Sequence, residues 1–266
     1  MATVLGANSV TGGFDVDNSV RFNRADGAYM HKTPGSAGNR KTWTFSCWAK
    51  KSDVAAHSSY FGANQTFQLE FHSTGAMLAW ESAGDFMKTN ALYRDTSSWY
   101  HIVWAFDTTQ GTASNRVKLY INGVQETSFA SAAYPNQNSS HQLNRNGNVT
   151  FIGRRNSGDV GLYVNGYMAN IECTDAQALT PSYFGSTNSD SGIWTPVPAD
   201  TISSYGNNGL KLAFANAGAL GTDTSGKGNN FTANSITSID QTTDSPSNNF
   251  ATLNPLYQQG NNTFSE

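Results

Sequence analysis

The chain has 266 residues, 38% hydrophobic and 12% aromatic, enough to bury one substantial core. Only 13% of residues are charged and the net charge is −3, with Lys and Arg scattered, so the basic patch or stripe of a nucleic-acid binder is missing. Mean hydropathy is nonetheless −0.46, so the polarity comes from Asn, Ser, Thr and Gly, which are turn formers and neutral hydrogen-bonding groups.

Residues 1–18 are small and polar and read as an N-terminal arm. Strands are predicted at Ser19 to Asn23 and Ala28 to His31, with an Asp26-Gly27 turn between them. Thr42 to Lys50 alternates clearly: Trp43, Phe45, Cys47 and Ala49 share one face, Thr44, Ser46 and Trp48 the other, and Trp48 implies that the second face is also partly covered. Lys51 to Ser59 reads as a polar break. Thr66 to His72 alternates again, with Phe67, Leu69 and Phe71 opposite Gln68, Glu70 and His72, and Met77 to Glu81 follows the Gly75 turn. Asp85 to Asp95 is mixed.

Trp99 to Phe106 is apolar at nearly every position, the pattern of a strand covered on both faces. His101 within it shares a face with Trp99 and Val103 and reads as an architectural, hydrogen-bonded residue. Arg116 to Ile121 has one buried face, and Asn122-Gly123 after it signals a type I′ hairpin, whose central positions both need positive φ. Ser131 to Gly147 reads as a long loop and Val149 to Gly153 as a strand. In GYMANIECTD, alternation puts Tyr167, Ala169, Ile171 and Cys173 on one face. Thr180 and Pro181 cap and open one short helical turn.

From Ser186 onward Gly, Asn, Ser and Thr dominate and apolar residues come singly, so residues 186–266 read as an extended C-terminal segment lying on the body or on neighbours. Many short strands with turn signals, and almost no helical periodicity, give an all-β fold: an antiparallel β-sandwich of the jelly-roll kind. Cys47 and Cys173 form no CxxC pattern; two buried free thiols are expected, with one disulfide as the alternative. No stretch approaches the ~20 apolar residues of a membrane span. The opening MATVLGANSVTGG has neither a basic start nor an apolar run, so no signal peptide is expected and the chain reads as soluble.

SVRFNRADGAYM, TWTFSCWAKKS, SSWYHIVWAFDTT with NRVKLYINGVQE, and VTFIGRR with GYMANIECTDAQALTPSYFG occur in that order. They resemble the successive strands of a concanavalin A-like, laminin G-type jelly roll, the match covering about residues 19–185. The opening GGFDVDNSVRFNRADGAYMHKTPGSAGNRKTWTFSCW, with DTSGKGNNFTANS and DSPSNNFATLNP, further resembles laminin G-type domains of tailed-bacteriophage virion proteins. That resemblance implies a virion protein assembled in the host cytoplasm as a tail fibre, spike or capsid decoration. Its expected partners are other virion proteins, itself as a homo-oligomer, and host surface glycans. Alternatives are a carbohydrate-binding lectin module outside a virion, or a divergent glycoside hydrolase.

The chemistry to be expected is sparse. Hydrolases of this fold carry a Glu-x-Asp-x-x-Glu strand, whose alternate carboxylates reach one face. No such run exists here; the nearest pairs are Glu70 with His72 and Glu172 with Asp175, and no catalytic residues are assigned. Glu70 and His72, on one strand face with Gln68, and the aromatics Trp80, Tyr93 and Tyr134 are the candidates for sugar contact. Many laminin G-type domains bind calcium through loop carboxylates; Asp26, Asp107 and Asp159 are the acids that could serve, though no loop motif gathers them, and no other cofactor is implied. Recognition is expected on the loops around residues 53–64, 107–115 and 134–148, or along the C-terminal segment.

Overall fold

In a computed structural model, residues 14–249 are described, apart from 55, 65, 82–83, 156–161, 199–201 and the side chains of 84–86. Alternating apolar residues leave each strand one oily face, and two antiparallel sheets bury those faces against each other, forming the expected sandwich. Strands are numbered along the chain. The first sheet contains β1 (Ser19–Phe22), β3 (Thr42–Lys51), β8 (Tyr100–Asp107), β9 (Val117–Ile121), β10 (Val124–Glu126), β13 (Gly166–Asp175), β16 (Leu210–Leu212) and β18 (Gln241–Thr242). Its order is β10-β9-β8-β3-β13-β1-β18, with β16 also paired to β13. The second contains β2 (Tyr29–Lys32), β4 (Ser58–Ala63), β5 (Phe67–Phe71), β6 (Ala76–Glu81), β7 (Gly84–Leu92), β11 (Phe129–Ala132), β12 (Thr150–Ile152) and β17 (Thr232–Asn234). Its order is β11-β7-β6-β5-β4-β12-β2-β17. A separate hairpin joins β14 (Gly185–Thr187) to β15 (Trp194–Pro196).

The core lies between the sheets. Trp43 stacks on Phe106 with ring centroids 3.9 Å apart, while Phe67 from the other sheet meets Trp43 edge-on. Phe45 stacks on Phe61 across the sandwich. Trp104 Nε1 donates to Tyr60 Oη at 2.7 Å, satisfying a buried polar pair where an orphan would be costly. Cys47 and Cys173 are both buried and unpaired with each other. Asn122 and Gly123 take positive φ, as the β9–β10 hairpin requires.

Three local expectations change. The stretch read as a polar break and recognition loop contains β4, every residue of which is buried. A bulge between Ser59 and Phe61 sends both Tyr60 and Phe61 inward, which destroys the period-two signal. Asp85 to Asp95 is largely the strand β7, itself irregular against β6. In β13 a bulge sits between Ala169 and Glu172, with Asn170 at φ +42°. It flips the alternation, so Met168 joins Ile171 and Cys173 in the core while Tyr167 and Ala169 face outward.

The outer face of the first sheet is covered. Val103, Ala105 and Tyr120 pack under Leu179, Phe184, Ile202 and Tyr205. His101 stacks on Trp48 and on Trp194. Trp194 Nε1 donates to His101 Nδ1 at 3.0 Å, so the ring proton resides on Nε2, which faces Ser46 Oγ at 2.9 Å. Burial holds His101 neutral, with its pKa pushed down to about 3.

Candidate functional site

The outer face of the second sheet has a different character. In β5 the inward residues are Phe67, Leu69 and Phe71, so Gln68 and Glu70 point outward. Register then fixes their neighbours. Gln68 stands opposite Trp80 on β6 and Gly62 on β4; Gly62 is opposite Phe151 on β12; Phe151 is opposite His31 on β2; and His31 is opposite Thr232 on β17. One row of residues therefore crosses six strands, a span of about 24 Å at the usual strand spacing. Gly62 lets the Gln68 side chain lie close over the backbone of β4. A Cβ there would lie 3.1 Å from Gln68 Cγ and 2.8 Å from the Phe67 carbonyl. Gln68 is only 1% exposed, and neither its Nε2 nor its Oε1 has a hydrogen-bond partner. Ser59 Oγ, on the same face, is likewise buried without one.

Two arginines arch over the row. After β12 the chain turns at Gly153, whose φ of +85° and position against the Phe22 ring exclude a side chain. The turn lays Arg154 among three rings, its guanidinium carbon 4.4 Å from the Tyr29 centroid, 5.3 Å from Phe151 and 5.2 Å from Tyr163. Arg155 lies 4.2 Å over Trp80, at the other end of the row. Both contacts are cation–π interactions, which keep a guanidinium near aromatic faces without neutralising it.

Beside this row lie Glu70, His57, His72 and Lys88. His57 Nδ1 is 3.6 Å from Glu70 Oε2, the rings of His57 and His72 meet edge-on at 4.4 Å, and Lys88 Nζ is 3.1 Å from His72 Nε2. The cross-strand neighbours of Glu70 are Leu78 and Ser59, so no second carboxylate stands opposite it on either adjoining strand. A two-carboxylate hydrolysis needs such a partner within roughly 5–10 Å. The other acidic pair is occupied elsewhere. Glu172, on the first sheet, accepts from Tyr205 Oη and Asn170 Nδ2, and burial raises its pKa. Asp175 accepts the backbone N–H groups of Asn39 and Asn208, tying two loops together.

Of the candidates read from sequence, Glu70, His72 and Trp80 thus share one face with Gln68. Tyr93 and Tyr134 stand apart from that row: Tyr93 donates to Glu126 Oε2 at 2.9 Å and packs edge-on against Tyr100, and Tyr134 is half-buried against the main core. Asp26 accepts from Asn23 within its turn, and Asp107 accepts from Thr109 and Gln110, so each serves local loop structure. Asp159 lies outside the described residues. Among the described residues no three His, Cys, Asp or Glu side chains are gathered as metal ligands. Sequence reasoning missed Tyr29, His31, Phe151, Arg154 and Arg155. Their only local signal was two adjacent arginines directly after a strand-ending glycine.

A family profile described as the concanavalin A-like lectin/glucanases superfamily, laminin G type, matches residues 23–183. A comparison with curated proteins found no match. Among solved structures, a suggested carbohydrate-binding protein from Bacteroides ovatus superposes with a TM-score of 0.59 at 15% identity, over 86% of this chain and 60% of that one. A heptameric SAP-like pentraxin from Limulus polyphemus gives a TM-score of 0.47 at 15% identity, over 63% of this chain and 80% of that one. This chain thus spans 60% of the length of the Bacteroides protein, and at such identity the likeness is one of fold. The sequence match extends over more than half the chain, and the sandwich agrees with it: the chain belongs to the concanavalin A-like lectin/glucanase superfamily, in its laminin G-type branch.

Proposed function

We propose that this protein is a non-catalytic carbohydrate binder whose sugar contacts lie on the outer face of the second sheet. The observation that carries the reading is Gln68: a buried amide with donor and acceptor both unused, next to the half-buried ring of Trp80. An amide offers one donor side and one acceptor side, which match adjacent sugar hydroxyls, and an indole face packs on the C–H surface of a pyranose. A buried polar group without a partner costs about 1–3 kcal/mol, so a site that keeps one gains when a ligand satisfies it. The absence of a carboxylate opposite Glu70 supports a binding rather than a hydrolytic role. The fold shared with the Bacteroides protein is compatible with this reading.

The setting we propose is the virion of a tailed bacteriophage, as a homo-oligomeric fibre, spike or capsid decoration that holds host glycans. Its support is the sequence resemblance of the opening block and of DTSGKGNNFTANS and DSPSNNFATLNP. Mass spectrometry of purified particles should find the chain among the structural proteins; its absence there would remove the virion setting and leave a lectin. A glycan array probed with the purified protein tests the binding itself. Binding should appear and should fall at least tenfold in Trp80→Ala, a loss of about 1.4 kcal/mol or more. An array with no signal, or a Trp80→Ala variant that binds unchanged, would overturn the reading, and turnover of a bound polysaccharide would overturn its non-catalytic part.

A further inference from the structure

Arg154 stands out among the arginines of the chain. Arg21 and Arg24 pair with Asp240 and Asp53, and Arg116 donates to three carbonyl oxygens, those of Gln110, Gly111 and Pro135. Arg154 is 6% exposed, yet among the described residues it makes a single hydrogen bond, from Nε to the Arg155 carbonyl, and no ion pair. A guanidinium carries five N–H donors, so four find no acceptor among the described residues. The three aromatic rings cover the flat faces of the guanidinium and leave its N–H edge for an acceptor. Those rings, Tyr29, Phe151 and Tyr163, hold the guanidinium in place, so little conformational entropy is lost when it meets a ligand.

We infer that Arg154 is an anion-recognition residue, and that the glycan bound on this face carries a carboxylate, as in a uronic acid. This inference rests on the carbohydrate-binding reading and names the sugar class. A planar guanidinium pairs with a planar carboxylate through two parallel N–H···O bonds, whereas it meets a neutral hydroxyl through one. Phe151, which touches Arg154, and Gln68 both stand in register with Gly62, so the charged end and the amide belong to the same row. Arg155, over Trp80, places a second cationic group along it. A carboxylate at Arg154 and hydroxyls at Gln68 would lie about two strand spacings apart, roughly 10 Å, the length of a disaccharide.

The test compares uronic-acid oligosaccharides with the same oligosaccharides after reduction of the carboxyl to a primary alcohol, using the unaltered protein and the variants Arg154→Lys and Arg154→Gln. The unaltered protein should bind the acid form roughly tenfold or more tightly, the worth of one bidentate charge-assisted pair. Arg154→Lys should shrink that preference severalfold, and Arg154→Gln should abolish it, so that the acid and reduced forms bind equally. Equal binding of the acid and reduced forms would overturn the inference and leave the carbohydrate-binding reading standing. Equal or tighter binding of a sulfated neutral sugar would overturn the carboxylate assignment in favour of a less selective anion site. Failure to bind any glycan would overturn the parent reading itself. The acid-versus-reduced comparison needs no variant, so it decides the matter even if substitution at Arg154 weakens the fold.

Discussion

Gln68→Leu should make the protein more stable and less able to bind sugar. The side chain is 1% exposed, and both amide atoms lie within the protein without a hydrogen-bond partner. Leaving an amide in that state costs about 1–3 kcal/mol relative to an apolar group of similar shape. Leucine fits the volume more closely than alanine would, and Gly62 beside it has no side chain to clash with the branched methyls. For a chain of this size, each 1 kcal/mol moves Tm by roughly 2–4 °C, so the expected rise is about 2–12 °C. The same substitution removes the donor and acceptor offered to a glycan and should lower affinity at least tenfold, about 1.4 kcal/mol. Thermal unfolding by circular dichroism and binding by calorimetry on the same samples measure the two effects. A lower Tm would mean that the amide is satisfied in the folded protein. A higher Tm with unchanged affinity would mean that the amide is buried for some reason other than sugar binding. Either result refutes the reasoning.

Acid should destabilise the protein before its carboxylates titrate. His101 and His141 are held neutral by burial, with pKa values pushed down to about 3 and about 4, Arg40 adding to the effect at His141. The unfolded chain binds those protons near pH 6.5, so this stability is complete above that pH and is lost as pH falls towards 4, at about 2 kcal/mol per histidine between pH 7 and pH 5. Urea midpoints at pH 7, 6 and 5 should fall accordingly, and His101→Gln should show about half the slope; an unchanged slope would place the proton uptake elsewhere. Trp194→Ala removes the ring stacked on His101 and the donor to its Nδ1, and should cost about 2–3 kcal/mol in chemical denaturation. Cys47 and Cys173 are buried and free, with burial pushing both thiols up, so a thiol reagent should modify neither in the native protein and both after unfolding.

The sandwich was legible because its strands alternate and its turns carry Gly and Asn where positive φ is needed, as at Asn122-Gly123. The errors fall where one residue is inserted. Tyr60 and Asn170 each add a residue to one strand of a pair, and alternation before and after the insertion no longer agrees. Nothing in SSYFGA or YMANIE marks those positions as bulges. The candidate row was harder to read for a different reason. It takes one residue from each of six strands, of which β4, β5 and β6 follow one another but β2, β12 and β17 lie far away in sequence, and only register brings Trp80, Gln68, Gly62, Phe151, His31 and Thr232 into line. Glu70, Gln68 and His72 were visible as a polar strand face, but nothing local distinguishes such a face from a solvated one.

The C-terminal segment treats the outer faces of the two sheets differently. Trp194, Ile202 and Tyr205 lie on the first sheet and take up its outward residues His101, Val103 and Glu172 in stacking, apolar and hydrogen-bonded contacts. Further along, β16 and β18 pair with β13 and β1 of that sheet, so main-chain groups of the segment are satisfied within the same chain. On the second sheet its described residues add β17 at the edge beside β2, where Thr232 extends the row and Asn234 reaches His31. A segment too poor in apolar residues to fold alone is enough to cover much of one sheet, because Trp194 and Tyr205 each meet a prepared partner on it. The row of Trp80, Gln68, Phe151 and Arg154 lies on the other sheet, where Gln68 and Arg154 find few partners among the described residues.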